Sequence, residues 1–350
     1  MLDKLIQQIR PTINPKISDA VSCHLDDLTK PKGSLGRLEE FVLQYCLCRQ
    51  SREAAIRRPC ILTFAADHGI TEMGITPFPA EVTAQMVKNM AGGGAAVSVM
   101  ATQAGYPFRV IDVGVKADLT GRDNLLIRKI RKGTRNFLKQ PAMSREEVVR
   151  AIGIGIETVE AMDADLLGLG EMGIGNSSSA SALYSLILGV DPVECVGPGT
   201  GSRGELLKKK IRCIEEAIGF HRNGWDATPL DALARVGGLE IAAIVGAILG
   251  ACRKATPIVI DGFICSAAAI VAMQLSPLVH EYLFFSHVSD EPFHRKFMKS
   301  QRIKPVLDMG MRLGEGTGAV LAMQILQQAL ACYHQMATFS GASVSGRVDW

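Results

Sequence analysis

The sequence predicts an α/β protein in which a mostly parallel sheet is covered by helices on both faces. Short apolar segments with the length of buried strands alternate along the 350 residues with segments of helical periodicity. Glycine-rich stretches follow several of the apolar segments, as expected where a parallel strand turns into a helix. Hydrophobic residues make up 47% of the chain and charged residues 21%, which is typical of a globular protein.

The N-terminal third shows the first alternation of helix and strand. Residues 1–55 predict helices that are interrupted at three prolines. Residues 59–70 are mostly apolar and end in Asp67-His68-Gly69 and an isoleucine, which is typical of a buried parallel strand with polar side chains at its carboxyl end. Residues 81–104 predict a helix that is interrupted by three consecutive glycines.

The same alternation continues to the C-terminus. Strands or strand-to-loop segments are predicted in residues 108–115, 164–175, 256–264 and 305–318, and helices in residues 148–162, 177–189, 204–221 and 319–336. We expect residues 55–320 to form a large domain that carries the functional site. The two helical chain ends, residues 1–54 and 321–350, are expected to form a small helical domain.

Charge, hydropathy and cysteine content argue against several classes of protein. The net charge of +3 is small and the basic residues are dispersed, so no nucleic-acid partner is expected. The longest apolar segment, residues 241–252, is too short to span a bilayer, and the N-terminus lacks the apolar stretch of a signal peptide. The nine cysteines include no CxxC pair, so we expect reduced thiols in a cytoplasmic protein without a membrane role.

The glycine-rich stretch of residues 168–179 is a candidate anion site. Its glycines let an anion approach the backbone, and the dipole of the helix that begins at the serines favours a phosphate by about 0.3–1 kcal/mol. The alternative is a tight turn that only packs. The stretch also contains a GxGxxG pattern from Gly168 to Gly173, which is found in dinucleotide-dependent oxidoreductases, but Glu171 lies where a pyrophosphate would bind.

A second glycine-rich loop, residues 313–318, carries a glutamate. Glu315 lies between two glycines, where a carboxylate is either exposed to solvent or part of a site. Glu171 and Glu315 each follow a glycine after a predicted strand, so both are expected in one crevice. Burial and mutual repulsion would raise their pKa values there, which suits a general base.

Other polar residues have both a structural and a functional interpretation. Asp67 and Asp261 follow predicted strands, where they either shape the turn or contact substrate, with ribose hydroxyls as the ligand of Asp261. The run Lys208–Lys210 is either a solvated helix face or contains one lysine that faces the substrate. The polar cluster in residues 286–294 matches no metal-ligand spacing, so no metal site is predicted.

Nine stretches of the chain resemble the nicotinate-nucleotide:dimethylbenzimidazole phosphoribosyltransferase family. They run in one order through nearly the whole sequence. The stretches are KPKGSLGRLEE (30–40), FAADHGI (64–70), EVTAQMVKNMAGGGAAV (81–97), GEMGIGNSSSASAL (170–183), VGPGTG (196–201), GGLEIAAIVGAILGA (237–251), IDGFICSAAA (260–269), SHVSDEPFH (286–294) and LDMGMRLGEGTGA (307–319).

The resemblance implies transfer of phosphoribose from nicotinate mononucleotide to 5,6-dimethylbenzimidazole, giving α-ribazole 5′-phosphate and nicotinate. It also implies a homodimer with a Rossmann-like large domain. No cofactor is expected, because departure of nicotinate removes a pyridinium charge and requires neither magnesium nor a strong acid.

By motif position, Glu315 corresponds to the catalytic base of the family and Glu171 to a second active-site acid. Lys210 lies near a substrate-contacting lysine, with Lys208 and Lys209 as alternatives, and Gln85 lies in the base-pocket segment. Together with the candidates from the residues themselves, the predicted substrate-binding residues are Gly173, Ile174, Gly175, Asn176, Ser177, Ser178, Lys210, Asp261, Gln85, Asp67, Leu313 and Gly314.

Two other functional classes remain open from the sequence. The GxGxxG pattern would fit an oxidoreductase that binds NAD or NADP tightly. A non-catalytic nucleotide sensor or partner-binding module would bind a nucleotide without turnover. The pair of carboxylates favours the transferase, because acids at a phosphate site repel the ligand unless the chemistry requires them.

Overall fold

The computed structural model describes residues 2–342 and 344–345 and contains a six-stranded parallel sheet. The strands are β1 (Pro59–Ala66), β2 (Phe108–Gly114), β3 (Leu125–Ile127), β4 (Leu166–Met172), β5 (Ile258–Ile260) and β6 (Leu283–Phe285). They pair in the order β3-β2-β1-β4-β5-β6, and each pairing is parallel. This is the strand order of a Rossmann fold, so the predicted fold class is confirmed.

Helices connect and cover the strands. The α-helices are α1 (Leu2–Ile6), α2 (Pro15–Asp27), α3 (Arg37–Cys48), α4 (Val82–Ala91), α5 (Ala96–Ala104), α6 (Arg145–Glu160), α7 (Asn176–Leu188), α8 (Pro192–Cys195), α9 (Gly204–Arg222), α10 (Pro229–Val236), α11 (Leu239–Arg253), α12 (Phe263–Leu275), α13 (Pro292–Ser300), α14 (Thr317–Gln335) and α15 (Phe339–Ala342). Short 3-10 helices span Gly69–Met73 and Pro277–Tyr282. None of the helices in the described residues is long and apolar enough to cross a membrane.

Alternate residues of β1 belong to two hydrophobic cores, one on each face of the sheet. Leu62 and Phe64 pack into a core with residues of α6, α11 and α12. Ile61 and Ala65 pack into a second core with residues of α5 and α14. All of β1 is buried, which explains why its sequence is continuously apolar rather than alternating.

Helices α6 and α11 approach each other at glycines. A Cβ atom on Gly155 would collide with the carbonyl oxygen of Ala243, and one on Gly246 would collide with that of Ile152. The two backbones are therefore too close for any side chain at these positions. Gly153, in the same helix α6, has no atom within 4 Å of an added Cβ.

The structure corrects the predicted pattern around the second glycine-rich loop. The prediction of a strand in residues 305–318 is wrong, because this segment forms only an isolated bridge from Leu307 to His287. Strands β3 and β6 are missed by the sequence pattern, since three residues are too few to show a period. Glu315 therefore follows a loop, and Glu171 lies inside β4 rather than after it.

The two chain ends pack against each other. Helix α3 contacts both α2 and α14, and the amide of Thr29 donates to the carbonyl oxygen of Ala337 at 2.9 Å. Helix α14 also packs in the core beneath the sheet. The division into a large domain, 55–320, and a small domain of 1–54 with 321–350 stays a prediction, and residues 343 and 346–350 lie outside the described residues.

Replacing Gly155 by Ala is expected to lower the free energy of unfolding by roughly 1–3 kcal/mol, because the methyl group must push α6 away from α11. Gly153→Ala is the matched control and should leave stability unchanged or raise it by about 0.5–1 kcal/mol, since alanine favours the helix. Urea unfolding followed by circular dichroism measures both variants. Equal stability of the two variants would contradict the close approach of the helices.

Candidate active site

A cleft that is open to solvent lies beyond the carboxyl ends of β4, β5 and β6. Gly173–Ser177 after β4, Gly262 after β5 and His287 after β6 form three of its walls. Leu313 and Gly314 form another. This is the edge at which parallel sheets bind ligands.

The loop between β4 and α7 has the geometry of an anion site. Gly175 has a φ of +94° and directly precedes α7, a conformation that favours glycine. The amides of Ile174, Asn176 and Ser178 donate to protein oxygens. Among the described residues, the amides of Gly175 and Ser177 have no acceptor. Together with the positive end of the α7 dipole, these two amides can bind a phosphate.

Of the three consecutive lysines, Lys210 is the one that lies against this loop. Its Nζ donates to Ser177 Oγ at 3.0 Å, whereas Lys208 and Lys209 are exposed. Burial lowers the pKa of Lys210 to about 8, an effect that the nearby Glu291 opposes. A cation is therefore held next to the predicted phosphate position.

Glu171, the next-to-last residue of β4, lines the cleft. Its Oε2 accepts a hydrogen bond from the side-chain amide of Asn176, which orients the carboxyl group. Burial and, next, the charge of Asp261 raise its pKa to about 8, and Glu240 and Glu315 add to the effect. Near neutral pH the group is largely protonated, so it can donate a hydrogen bond.

The carboxyl group of Glu315 is buried beside the cleft without lining it. Glu315 is 4% exposed, and its Oε2 has no hydrogen-bond partner among the described residues. Burial raises its pKa, the backbone amide of Val97 in the first turn of α5 opposes this shift, and the charge of Asp261 adds to it. The adjacent Gly314 does form part of the cleft wall.

The loop that carries Glu315 is fixed to the sheet. The hydroxyl of Thr63 in β1 donates to the carbonyl oxygen of Glu315 at 2.6 Å. A Cβ on Gly170 in β4 would collide with the same carbonyl group, and one on Gly314 would collide with the carboxyl group of Glu171. Glu315 has a φ of +66°, a conformation that is costly for a residue with a side chain.

Five predicted substrate-binding residues do not line the cleft, and one of them, Lys210, contacts the cleft residue Ser177. Asp67 is buried, and its Oδ2 accepts a backbone amide after β2 at 2.7 Å. Asp261 is buried too and accepts two backbone amides at the start of α14, at 3.0 and 3.1 Å, which is the capping alternative. Ser178 is buried in the first turn of α7, and Gln85 is exposed on α4.

Three ionisable side chains of the cleft were not predicted as site residues. Arg312, Glu291 and His287 line it. Glu291 accepts the backbone amide of Gly199 at 2.6 Å, and Arg312 supplies a second cation. In the sequence, Glu291 and His287 were visible only as part of a polar cluster. Within the described part of the chain, no three His, Cys, Asp or Glu side chains are grouped so as to hold a metal ion.

The GxGxxG pattern does not form a dinucleotide-binding turn. Gly168 and Gly170 lie inside β4, and Gly173 alone of the three glycines lies beyond the strand. A Cβ on Gly168 would collide with the side chain of Ile61, so this glycine serves packing. The motif requires its glycines in the turn that approaches the pyrophosphate, so the oxidoreductase interpretation loses its structural basis.

The Rossmann-type sheet and a family model that matches residues 10–344 define the class of this protein as a phosphoribosyltransferase. The nicotinate-nucleotide–dimethylbenzimidazole phosphoribosyltransferase of Chlorobaculum tepidum (strain TLS) is 47% identical, over 99% of this chain and 98% of the relative. That of Pelodictyon phaeoclathratiforme is 48% identical, over 98% of each chain. The chain therefore belongs to the nicotinate-nucleotide–dimethylbenzimidazole phosphoribosyltransferase family.

Solved structures show the same similarity. The crystal structure of CobT from Thermus thermophilus superimposes with a TM-score of 0.91 at 40% identity, covering 95% of this chain and all of that one. A second structure from the same organism, described as the same phosphoribosyltransferase, has a TM-score of 0.89 at 39% identity and covers 96% of this chain and all of that one. The predicted family is confirmed.

The raised pKa of Glu171 makes folding stability depend on pH. Its pKa is about 8 in the folded state and 4.5 in the unfolded state. The group therefore contributes stability that is fully present below pH 4.5 and is lost as the pH rises through 8. Glu171→Gln removes this titration, so the variant should gain stability relative to wild type between pH 5 and 8, by roughly a few kcal/mol. Above pH 8 the difference should level off.

Thermal unfolding from pH 5 to 9 measures this difference. Glu205→Gln, on the exposed start of α9, is the control and should follow the wild-type pH dependence. A difference between Glu171→Gln and wild type that stays constant with pH would show that Glu171 is not perturbed.

Proposed function

We propose that the protein transfers the phosphoribosyl group of nicotinate mononucleotide to 5,6-dimethylbenzimidazole, which gives α-ribazole 5′-phosphate and nicotinate. One observation carries the proposal: two backbone amides after β4 that have no acceptor among the described residues, and the buried Lys210 of α9, lie beside a pair of buried acids. Such a site can hold a phosphate while a carboxylate accepts a proton. The names of the relatives support these two substrates.

The reaction replaces one N-glycosidic bond with another at C1′ of the ribose. A ring nitrogen of dimethylbenzimidazole bonds to C1′ while the bond from C1′ to the nicotinate nitrogen breaks. The electron pair of the broken bond neutralises the pyridinium nitrogen, so the leaving group needs no protonation. Attack from the face opposite nicotinate converts a β-glycoside into an α-glycoside.

The proton on the other nitrogen of dimethylbenzimidazole requires a base, and we assign this role to Glu315. Its Oε2 has no partner among the described residues, and burial raises its pKa towards the range in which a carboxylate accepts protons efficiently. General base catalysis of this kind contributes about 10²–10⁴-fold. Positioning of both substrates supplies much of the remainder, since effective molarities of about 10⁵ M are attainable.

The other site residues divide between the two substrates. Lys210, Ser177 and the free loop amides are assigned to the phosphate, and the protonated Glu171 to a hydrogen bond with the ribose or its leaving group. Gln85 is assigned to the aromatic base. It lies on α4, which packs against α5, and the first turn of α5 contacts Glu315, which supports entry of the base from that side.

We also propose that the protein is a cytoplasmic homodimer. Two large apolar side chains near the cleft, Met309 and Leu313, are 61% and 59% exposed. Large apolar side chains at a surface favour association. Sedimentation equilibrium measures the oligomeric state, and a monomer at all concentrations would contradict the dimer.

Incubation of the protein with nicotinate mononucleotide and dimethylbenzimidazole, with a metal chelator present, is expected to yield α-ribazole 5′-phosphate and free nicotinate in equal amounts. Liquid chromatography with mass spectrometry identifies both products. Reactions that lack either substrate are the controls. Binding of both substrates without turnover would favour the sensor, and tight calorimetric binding of NAD without transfer would favour the oxidoreductase.

Replacing Glu315 by Gln should lower kcat by about 10²–10⁴-fold, because the amide cannot accept the benzimidazole proton. Glu157→Gln, at an exposed position of α6 outside the cleft, is the control and should retain wild-type kcat. Circular dichroism verifies that both variants are folded. Turnover of Glu315→Gln within about twofold of wild type would remove this residue from the mechanism.

A further inference from the structure

A buried histidine lies directly beneath the phosphate loop. His68 follows β1 and is 0% exposed, and so are Ser179 of α7 and Glu240 of α11. A Cβ on Gly173 would lie 3.3 Å from the ring of His68, and one on Gly175 would lie 3.4 Å from its Cβ. The backbone of the loop therefore packs on this side chain at two points.

Both nitrogens of the His68 ring are engaged. Nε2 lies 2.7 Å from Glu240 Oε1, and Nδ1 lies 3.0 Å from Ser179 Oγ. Ser179 Oγ also lies 3.3 Å from the carbonyl oxygen of Gly237, so the hydroxyl joins the ring to the residues that precede α11. The ring cannot rotate without losing both partners, and its orientation is thereby fixed.

Stability alone does not explain this trio. Removing a carboxyl group and an imidazole from water costs free energy that an apolar pair of similar size would not cost. Oε2 of Glu240 has no hydrogen-bond partner among the described residues, and the N-terminal turn of α11 offsets only part of the penalty. A requirement for fixed geometry at the loop accounts for the arrangement.

We propose that His68 is a positioning residue for the phosphate of the substrate. Held by Glu240, it fixes the start of α7 through Ser179 and supports the loop backbone at Gly173 and Gly175. The free amides of the loop are thus kept in place before the phosphate arrives, which lowers the cost of binding it. The inference rests on the proposed function, because it takes a phosphoribosyl donor as the ligand.

The test compares nicotinate mononucleotide with nicotinate riboside, the same nucleoside without the phosphate. In His68→Leu, kcat/KM for the mononucleotide is expected to fall roughly 10- to 100-fold, mainly through a higher KM. The loss of hydrogen bonds to a charged group has an effect of this size. The value for the riboside should change less than about threefold. Equal losses for both substrates would overturn the proposal, since a merely structural role affects both.

Three further variants keep the test decisive. Ser179→Ala removes the contact of His68 to α7, together with the hydrogen bond to Gly237, and is expected to show the same selective loss, even if His68→Leu does not fold. His68→Asn retains a hydrogen-bonding group near the Nδ1 position and should recover part of the loss. His221→Gln is the matched control: this buried histidine of α9 binds the carbonyl oxygen of Phe137 at 2.7 Å, so its loss should lower stability without phosphate selectivity.

Calorimetric binding of ribose 5-phosphate separates this inference from the proposed function, because it requires no turnover. A roughly 10- to 100-fold weaker binding to His68→Leu supports the inference even if the wild type transfers no phosphoribose. Unchanged binding to both His68→Leu and Ser179→Ala refutes it, even if the wild type turns over as proposed.

Discussion

The close approach of the Glu315 loop to strand β4 determines the geometry of the whole site. The carbonyl group of Glu315 reaches the sheet because residue 170 has no side chain, and there it accepts the hydroxyl of Thr63. The same approach places Gly314 against the carboxyl group of Glu171. The absence of a side chain at residue 170 thus fixes Glu171 and Glu315 relative to each other and to the loop that follows β4.

The site places several carboxyl groups where water is largely excluded. Helix N-termini offset part of the free-energy cost of burying them. The first turn of α5 offers an amide to Glu315, the first residue of α7 donates its side-chain amide to Glu171, and the start of α14 donates two amides to Asp261. Each acid therefore meets the positive end of a helix dipole. The pKa values of all three are still raised, because burial outweighs these contacts.

The sequence predicts those parts of the protein that depend on local pattern. Strands β1, β2 and β4 have seven or eight residues each, enough to show a buried strand, and the glycines and serines after β4 mark the phosphate loop. The preference for Lys210 over its neighbours came from the structure, although helical periodicity could have shown it, since Lys210 lies one turn before Cys213 and Ile214 on the buried face of α9. The contact of Gly170 with Glu315 joins segments that are far apart in the chain, so no local pattern reports it.

Helix α14 links the loop that carries Glu315 to the two ends of the chain. It begins two residues after Glu315, and the segment just beyond its last turn pairs with Leu28 and Thr29. Its 19 residues correspond to a rise of about 28 Å. Because a helix is stiff along its axis, the contacts between the N-terminal segment and the end of α14 constrain the position of Glu315 just before its start. Sequence changes at these distant contacts are therefore expected to shift the carboxyl group of Glu315.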